Sequence, residues 1–117
     1  MGTLSKKLRS FAGDGKKGIA HWCPGCESAH SIWTENAAGR PVWTWDGNVD
    51  APTTTPSVRI FTPARAATAD RPAKPEKTRC HYFLKAGKIE YCGDCEHALS
   101  GKTVDLPDFP PHWGGFD

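Results

Sequence analysis

Apolar residues along this chain come in short groups, broken repeatedly by 12 Gly and 10 Pro, and no stretch sustains the helical spacing needed for a long amphipathic helix. Strand patterns are clearer. Residues 18–22 read as a strand entering a Cys-Pro-Gly-Cys turn, and residues 30–33 as the strand leaving it. Val42-Trp43-Thr44-Trp45 alternates apolar and polar before the turn signal Asp46-Gly47-Asn48. Residues 57–61 form another short strand, with Val58 and Ile60 on one face and Ser57, Arg59 and Phe61 on the other. Residues 80–84 and 88–92 make the best-defined hairpin, closed by Lys85-Ala86-Gly87. Asp94 then fits the N-cap of a short helix over 95–100 that stops at Gly101.

The intervening stretches carry weaker patterns. Residues 1–17 are polar and basic, with Leu4, Leu8 and Phe11 as apolar punctuation, and read as a flexible basic arm. Residues 62–79 hold three prolines and no large apolar side chain, as expected of an exposed, mobile loop. From 103 to 117, Val104, Leu106, Phe109, Trp113 and Phe116 are spaced among prolines, which suggests a tail wrapping the core of a single domain over 18–117. The fold class expected is therefore mostly β, a β-rich α+β domain with one or two short helices.

A loop-rich chain of 117 residues with 38% hydrophobic content gains much from a metal staple. Structural zinc supplies about 10 kcal/mol or more of folding free energy. The five cysteines include two Cys-x-x-Cys turns, Cys23–Cys26 and Cys92–Cys95. Each turn can aim two thiolates at one point, and two turns make a tetrahedral site of zinc-ribbon type. Five cysteines cannot all pair as disulfides. No apolar run reaches membrane-spanning length and no secretory core follows Met1, so a cytosolic setting with reduced thiols is expected. The net charge of +2 is too small to imply nucleic acid.

Cys23, Cys26 and Cys92 are the common members of any four-sulfur set, with Cys95 or Cys80 as the fourth ligand and Cys95 ahead on spacing. The hairpin register bears on this choice. A two-residue turn at Ala86-Gly87 would force positive φ on Ala86, against its Cβ. A three-residue turn avoids that and sets Cys80 opposite Cys92, within reach of one cation. The two-residue turn would instead put His81 opposite Cys92 and turn Cys80 away.

A second constellation adjoins this knuckle. His81, Asp94 and His97 could serve general acid–base chemistry, with Ser57 supplying a hydroxyl or Cys95 a thiolate. The structural alternatives are a helix cap for Asp94 and, for His97, a surface position or a supporting role beside the metal. His21 and His30 flank the first knuckle as structural or spare ligands. Trp22, Trp33, Trp43 and Trp45 fall on expected strands, where core packing is the commoner role, and basic residues do not interleave with them.

His-Trp-Cys-Pro-Gly-Cys at 21–26, Pro56-Ser57-Val58, Cys80-His81-Tyr82-Phe83 and Gly93-Asp94-Cys95-Glu96-His97-Ala98-Leu99-Ser100-Gly101, followed by Val104-Asp105-Leu106-Pro107, together resemble the family called domain of unknown function 6527. The resemblance implies small zinc-binding proteins of phages and bacteria, some encoded beside ubiquitin-like conjugation genes. It implies a peptidase, with His81, Asp94, His97 and Ser57 as active-site residues, a structural zinc ion, and a ubiquitin-like protein as substrate. The alternatives are a non-enzymatic phage accessory ribbon that binds a protein partner, and a nucleic-acid-binding module. The first predicts dispensable Asp94 and His97, the second a steep salt dependence.

Overall fold

The computed structural model describes residues 2–13, 16–35 and 42–111, and these form two antiparallel sheets. The first has the order β1 (Gly2–Thr3), β2 (Leu8–Gly13), β3 (Lys16–Cys23), β4 (Ser28–Glu35). The second has the order β5 (Thr44–Trp45), β6 (Thr54–Thr62), β7 (Lys77–Lys85), β8 (Lys88–Tyr91), β9 (Thr103–Asp105). Every pairing is antiparallel between chain neighbours, so both sheets are simple meanders.

One core joins the two sheets. Leu8, Ile19 and Ile32 enter it from the first, and Val58, Tyr82, Leu84 and Ile89 from the second. Burying each such aliphatic side chain is worth about 1.5–3 kcal/mol. The alternation is plain along β7, where Cys80, Tyr82 and Leu84 are buried while His81, Phe83 and Lys85 face outward. The hydroxyl of Tyr82 ties the sheets together, lying 2.6 Å from His21 Nε2 and 3.3 Å from His30 Nδ1. His21 and His30 are thus buried polar partners within the core.

The mostly-β expectation holds, but four details differ. Residues 2–13 are not a free arm: Leu8 is fully buried, Phe11 packs on Trp33 with ring centroids 4.8 Å apart, and β2 pairs along its length with β3. Ser5 shapes the entry, its hydroxyl accepting from the Lys7 and Leu8 amides and donating to Val49 O. The basic residues interleaved with these few apolar ones hid a paired strand.

Second, residues 95–100 form successive bends and turns, and no α-helix occurs among the described residues. The segment's amides are claimed elsewhere: Cys95 N and Gly101 N donate to Cys92 O, and Glu96 N donates to Arg79 O on β7. So short a stretch could not nucleate a helix against those bonds.

Third, the hairpin between β7 and β8 has the two-residue turn, with Lys85 paired to Lys88, Ala86 at φ 46° and Gly87 at φ 76°. A left-handed Ala costs roughly 1–2 kcal/mol. Tertiary bonds offset it: Ala86 N donates to Thr53 Oγ1 (2.8 Å), Gly87 N to Pro52 O (3.0 Å), and Gly87 O accepts from Leu106 N (2.8 Å). Gly87 is also required sterically, since a Cβ there would sit 2.9 Å from Ala51 Cα.

Fourth, the two knuckles do not face each other as in a zinc ribbon, as the site below makes plain. Residues 63–76 are exposed apart from Arg65 and are tied by an Arg65–Lys74 bridge, while Thr62 belongs to β6 and 77–79 to β7. The tail packs on the core through Leu106 and Phe109; Trp113 and Phe116 lie outside the described residues.

Candidate active site and metal centre

Consecutive residues of β7 serve opposite faces of the second sheet. His81 points outward, where Arg59 of β6 is its direct partner. Ser57 lies two residues before Arg59 on that same face, a diagonal position within side-chain reach. It is presented there because the β6–β7 register jumps between Thr54 and Val58, arching residues 55–57 out of the ladder around a cis Thr55–Pro56 bond. The indole Nε1 of Trp43 donates to Ser57 O (3.1 Å) and fixes the arch. On the other side, Cys92 N donates to His81 O (2.8 Å), so Asp94, two residues on, reaches the imidazole from the opposite flank.

The result is a linear relay. Ser57 Oγ lies 3.1 Å from His81 Nε2, and the Asp94 carboxylate oxygens lie 3.2 and 3.3 Å from Nδ1. An ionised carboxylate only accepts, so Nδ1 carries the proton and Nε2 turns its lone pair to the Ser57 hydroxyl. That is the tautomer a general base needs. The side chains of His81 and Asp94 are 27% and 51% exposed, which leaves the relay open to a large substrate. Phe61 and Phe83 stand exposed on the same face.

Cys80, one residue earlier, points inward to a different group. Cys23, Cys26, Cys80 and His97 bring their ligand atoms within 4.8 Å of one another, and this cluster could hold a metal ion. Cys23 and Cys26 come from the β3–β4 turn, where Cys26 N donates to Cys23 Sγ (3.4 Å). His97 Nε2 is 3.4 Å from Cys80 Sγ, and its ring lies so close over Gly25 that a Cβ there would come 2.3 Å from His97 Cε1. Tyr91 OH completes the surroundings, 3.1 Å from Cys23 Sγ.

The hydrogen bond between Cys23 and Cys80 pulls the Cys23 thiol down to about 5 and pushes Cys80 up, with burial adding to the latter. Burial, then the charge on Cys23, raises Cys26 to about 11. A cation bound there would favour the thiolates and release their protons.

Of the expected site residues, the structure brings Ser57, His81 and Asp94 together and places His97 away from them, with the sulfurs. Cys80 joins Cys23 and Cys26; Cys92 and Cys95 do not. The two-residue turn explains this, because it sets His81, rather than Cys80, opposite Cys92. Cys92 lies beside His81 and Asp94. The Cys95 thiol is buried against the β7 backbone, 3.2 Å from His81 N and 3.1 Å from His81 O. His97 as a ligand, Tyr91 beside Cys23, and Trp43 on Ser57 had no clear signal in the sequence, since each depends on packing between distant segments.

A serine, a histidine and a carboxylate in hydrogen-bonded line on an open sheet face are the working parts of a serine hydrolase. The chain belongs to the family described as bacterial ubiquitination-like system serine protease (BubE), whose model matches residues 3–92. The match spans Ser57 and His81 and stops just short of Asp94. It agrees with the expected link to ubiquitin-like conjugation, although the family it names is BubE rather than domain of unknown function 6527. No curated protein and no solved structure matches the chain.

Proposed function

We propose that this protein is a serine peptidase that trims or removes the tail of a ubiquitin-like protein. The observation that carries it is the Ser57–His81–Asp94 relay. Ser57 Oγ attacks the scissile carbonyl carbon while His81 Nε2 takes the hydroxyl proton; Asp94 holds the ring and balances the imidazolium charge. His81 then returns that proton to the leaving amine as the C–N bond breaks. A water molecule, deprotonated by the same nitrogen, releases the acyl group from Ser57.

In this reading Cys23, Cys26, Cys80 and His97 hold zinc. Three thiolates and one imidazole match its preferred tetrahedral donor set, and four protein ligands leave no open position for catalysis, so its part is structural. A reducing cytosol, where thiols stay available to a metal, is the setting this reading implies.

The test is incubation of the purified protein with a ubiquitin-like precursor carrying a C-terminal extension, alongside a fluorophosphonate probe. Cleavage and probe labelling are expected for the native chain and are expected to vanish in Ser57→Ala. Labelling that survives that substitution, or a native chain inert to both substrate and probe, would end the proposal.

A further inference from the structure

Cys92 is half-buried and takes no part in the four-ligand cluster, yet its position is specific. The β7–β8 register fixes it across from His81, and the turn that follows delivers Asp94 to the same place. His81, Cys92 and Asp94 offer one ligand atom each, all within 4.8 Å of one another. Nitrogen, sulfur and carboxylate oxygen together suit a borderline-soft divalent cation such as zinc and not magnesium. Asp94 is exposed, so the position opens to solvent and a water molecule can complete a tetrahedron.

We propose that His81, Cys92 and Asp94 form a second, weaker site for a zinc-class cation that switches the Ser57 centre off. The inference rests on the peptidase reading for its consequence, though not for the binding itself. The protons balance simply. The Cys92 thiol releases its proton to solvent on binding. The cation takes the Nδ1 lone pair, so the single proton of the neutral imidazole moves to Nε2. There it points at Ser57 Oγ, and His81 can no longer accept the hydroxyl proton. Asp94 is also drawn from the ring to the cation. The centre is disabled without any ligand reaching Ser57, and releasing the cation restores it. Because three protein ligands bind less tightly than the four around Cys80, the chain would fill its structural site first and its inhibitory site only as free zinc rises.

The experiment uses full-length protein carrying one equivalent of zinc, titrated in zinc-buffered solution while bound metal and substrate hydrolysis are followed together, each variant normalised to its own rate at the lowest zinc. A second, weaker equivalent is expected, with hydrolysis falling at the same midpoint and magnesium without effect. Cys92→Ser should lose the second equivalent and need at least tenfold more zinc for the same inhibition. Asp94→Asn, followed by binding alone, should weaken the second equivalent and spare the first. A second equivalent unchanged in Cys92→Ser, inhibition without a second equivalent, or one equivalent only would overturn the site. A Cys92-dependent second equivalent in a protein that hydrolyses nothing at any zinc level would uphold binding here and refute the peptidase reading.

Discussion

The Cys23–Cys26 and Cys92–Cys95 turns share a spacing and have different fates. The first closes a hairpin of the first sheet, keeps both thiols on one side, and meets Cys80 and His97 arriving from the second. The second turn is already part of the second sheet. Its first thiol stays outside with Asp94, and its second folds under β7 to bond the His81 backbone. Spacing therefore sets a local turn, while the segment that the turn faces decides its role. One turn gathers sulfur from across the core, and the other positions a carboxylate.

The largest expected effect separates the two turns by stability. Cys23→Ser removes a member of the four-residue cluster that is fully buried. If the cluster holds zinc worth about 10 kcal/mol or more, comparable to a domain's whole stability of about 5–15 kcal/mol, that variant should lose both metal and fold. Cys95→Ala should keep the metal and lose about 1–3 kcal/mol, the cost of stranding the His81 amide. Urea unfolding with metal analysis on both variants checks this. Equal losses would mean that the turns do not divide the work as described.

The segment after β8 sharpens the contrast, since Asp94 serves the outer face and His97 the inner one. Asp94→Asn should lower kcat by about 10³- to 10⁴-fold, as expected when the base is held in the wrong tautomer, with the zinc equivalent of the Cys23–Cys26–Cys80–His97 cluster unchanged. His97→Ala should reverse the pattern, loosening metal first and slowing hydrolysis only through the slackened turn. Parallel kcat and zinc determinations on protein carrying one equivalent of zinc test it; loss of that first equivalent from Asp94→Asn would show the faces to be one site.

Acid stability tests the core beneath both turns. Burial, together with the charges of His21 and His97, lowers His30 to about 3, and burial lowers His21 to about 4. Both groups are neutral above 6.5 in either state, so their contribution is intact there. As pH falls below 6.5 the unfolded chain takes up protons that the folded chain refuses, and stability drops by about 1.4 kcal/mol per unit for each histidine. His30→Asn should recover about 2 kcal/mol of the loss between pH 6.5 and 5, read by urea unfolding at saturating zinc, where thiol protonation affects both proteins alike. Identical pH slopes would refute the assignment.

How much of this was legible follows from the range of each interaction. Strands with strict alternation, such as Val58–Ile60 or the Tyr82–Leu84 pair, could be read because burial repeats every second residue. Ser57, His81 and Asp94 were visible as residue types, and a single sheet register then brought them into line. The error at Ala86 shows the limit. The local penalty was judged correctly, but Thr53 and Pro52, more than 30 residues away, outweighed it and exchanged the faces of Cys80 and His81 relative to Cys92. The buried role of Leu8 was hidden similarly, since nothing local marks which isolated leucine meets a core.

Tyr91 supplies the smallest effect and the finest probe of the inner face. Its ring packs edge-on against His97 with centroids 4.6 Å apart, while its hydroxyl reaches Cys23 Sγ at 3.1 Å. It therefore orients His97 and stabilises charge on Cys23 without joining the cluster itself. Tyr91→Phe keeps the packing and removes only the hydrogen bond. Supporting groups of this kind are worth about 10- to 100-fold in metal affinity. The lower end, about tenfold, is expected here because Cys23 also holds bonds from Cys80 and the Cys26 amide. Competition with a chelating dye would measure it, with hydrolysis at one bound equivalent of zinc unchanged. A hydrolytic defect as large as the affinity defect would mean that the metal cluster and the relay are coupled through β8 more tightly than their opposite faces imply.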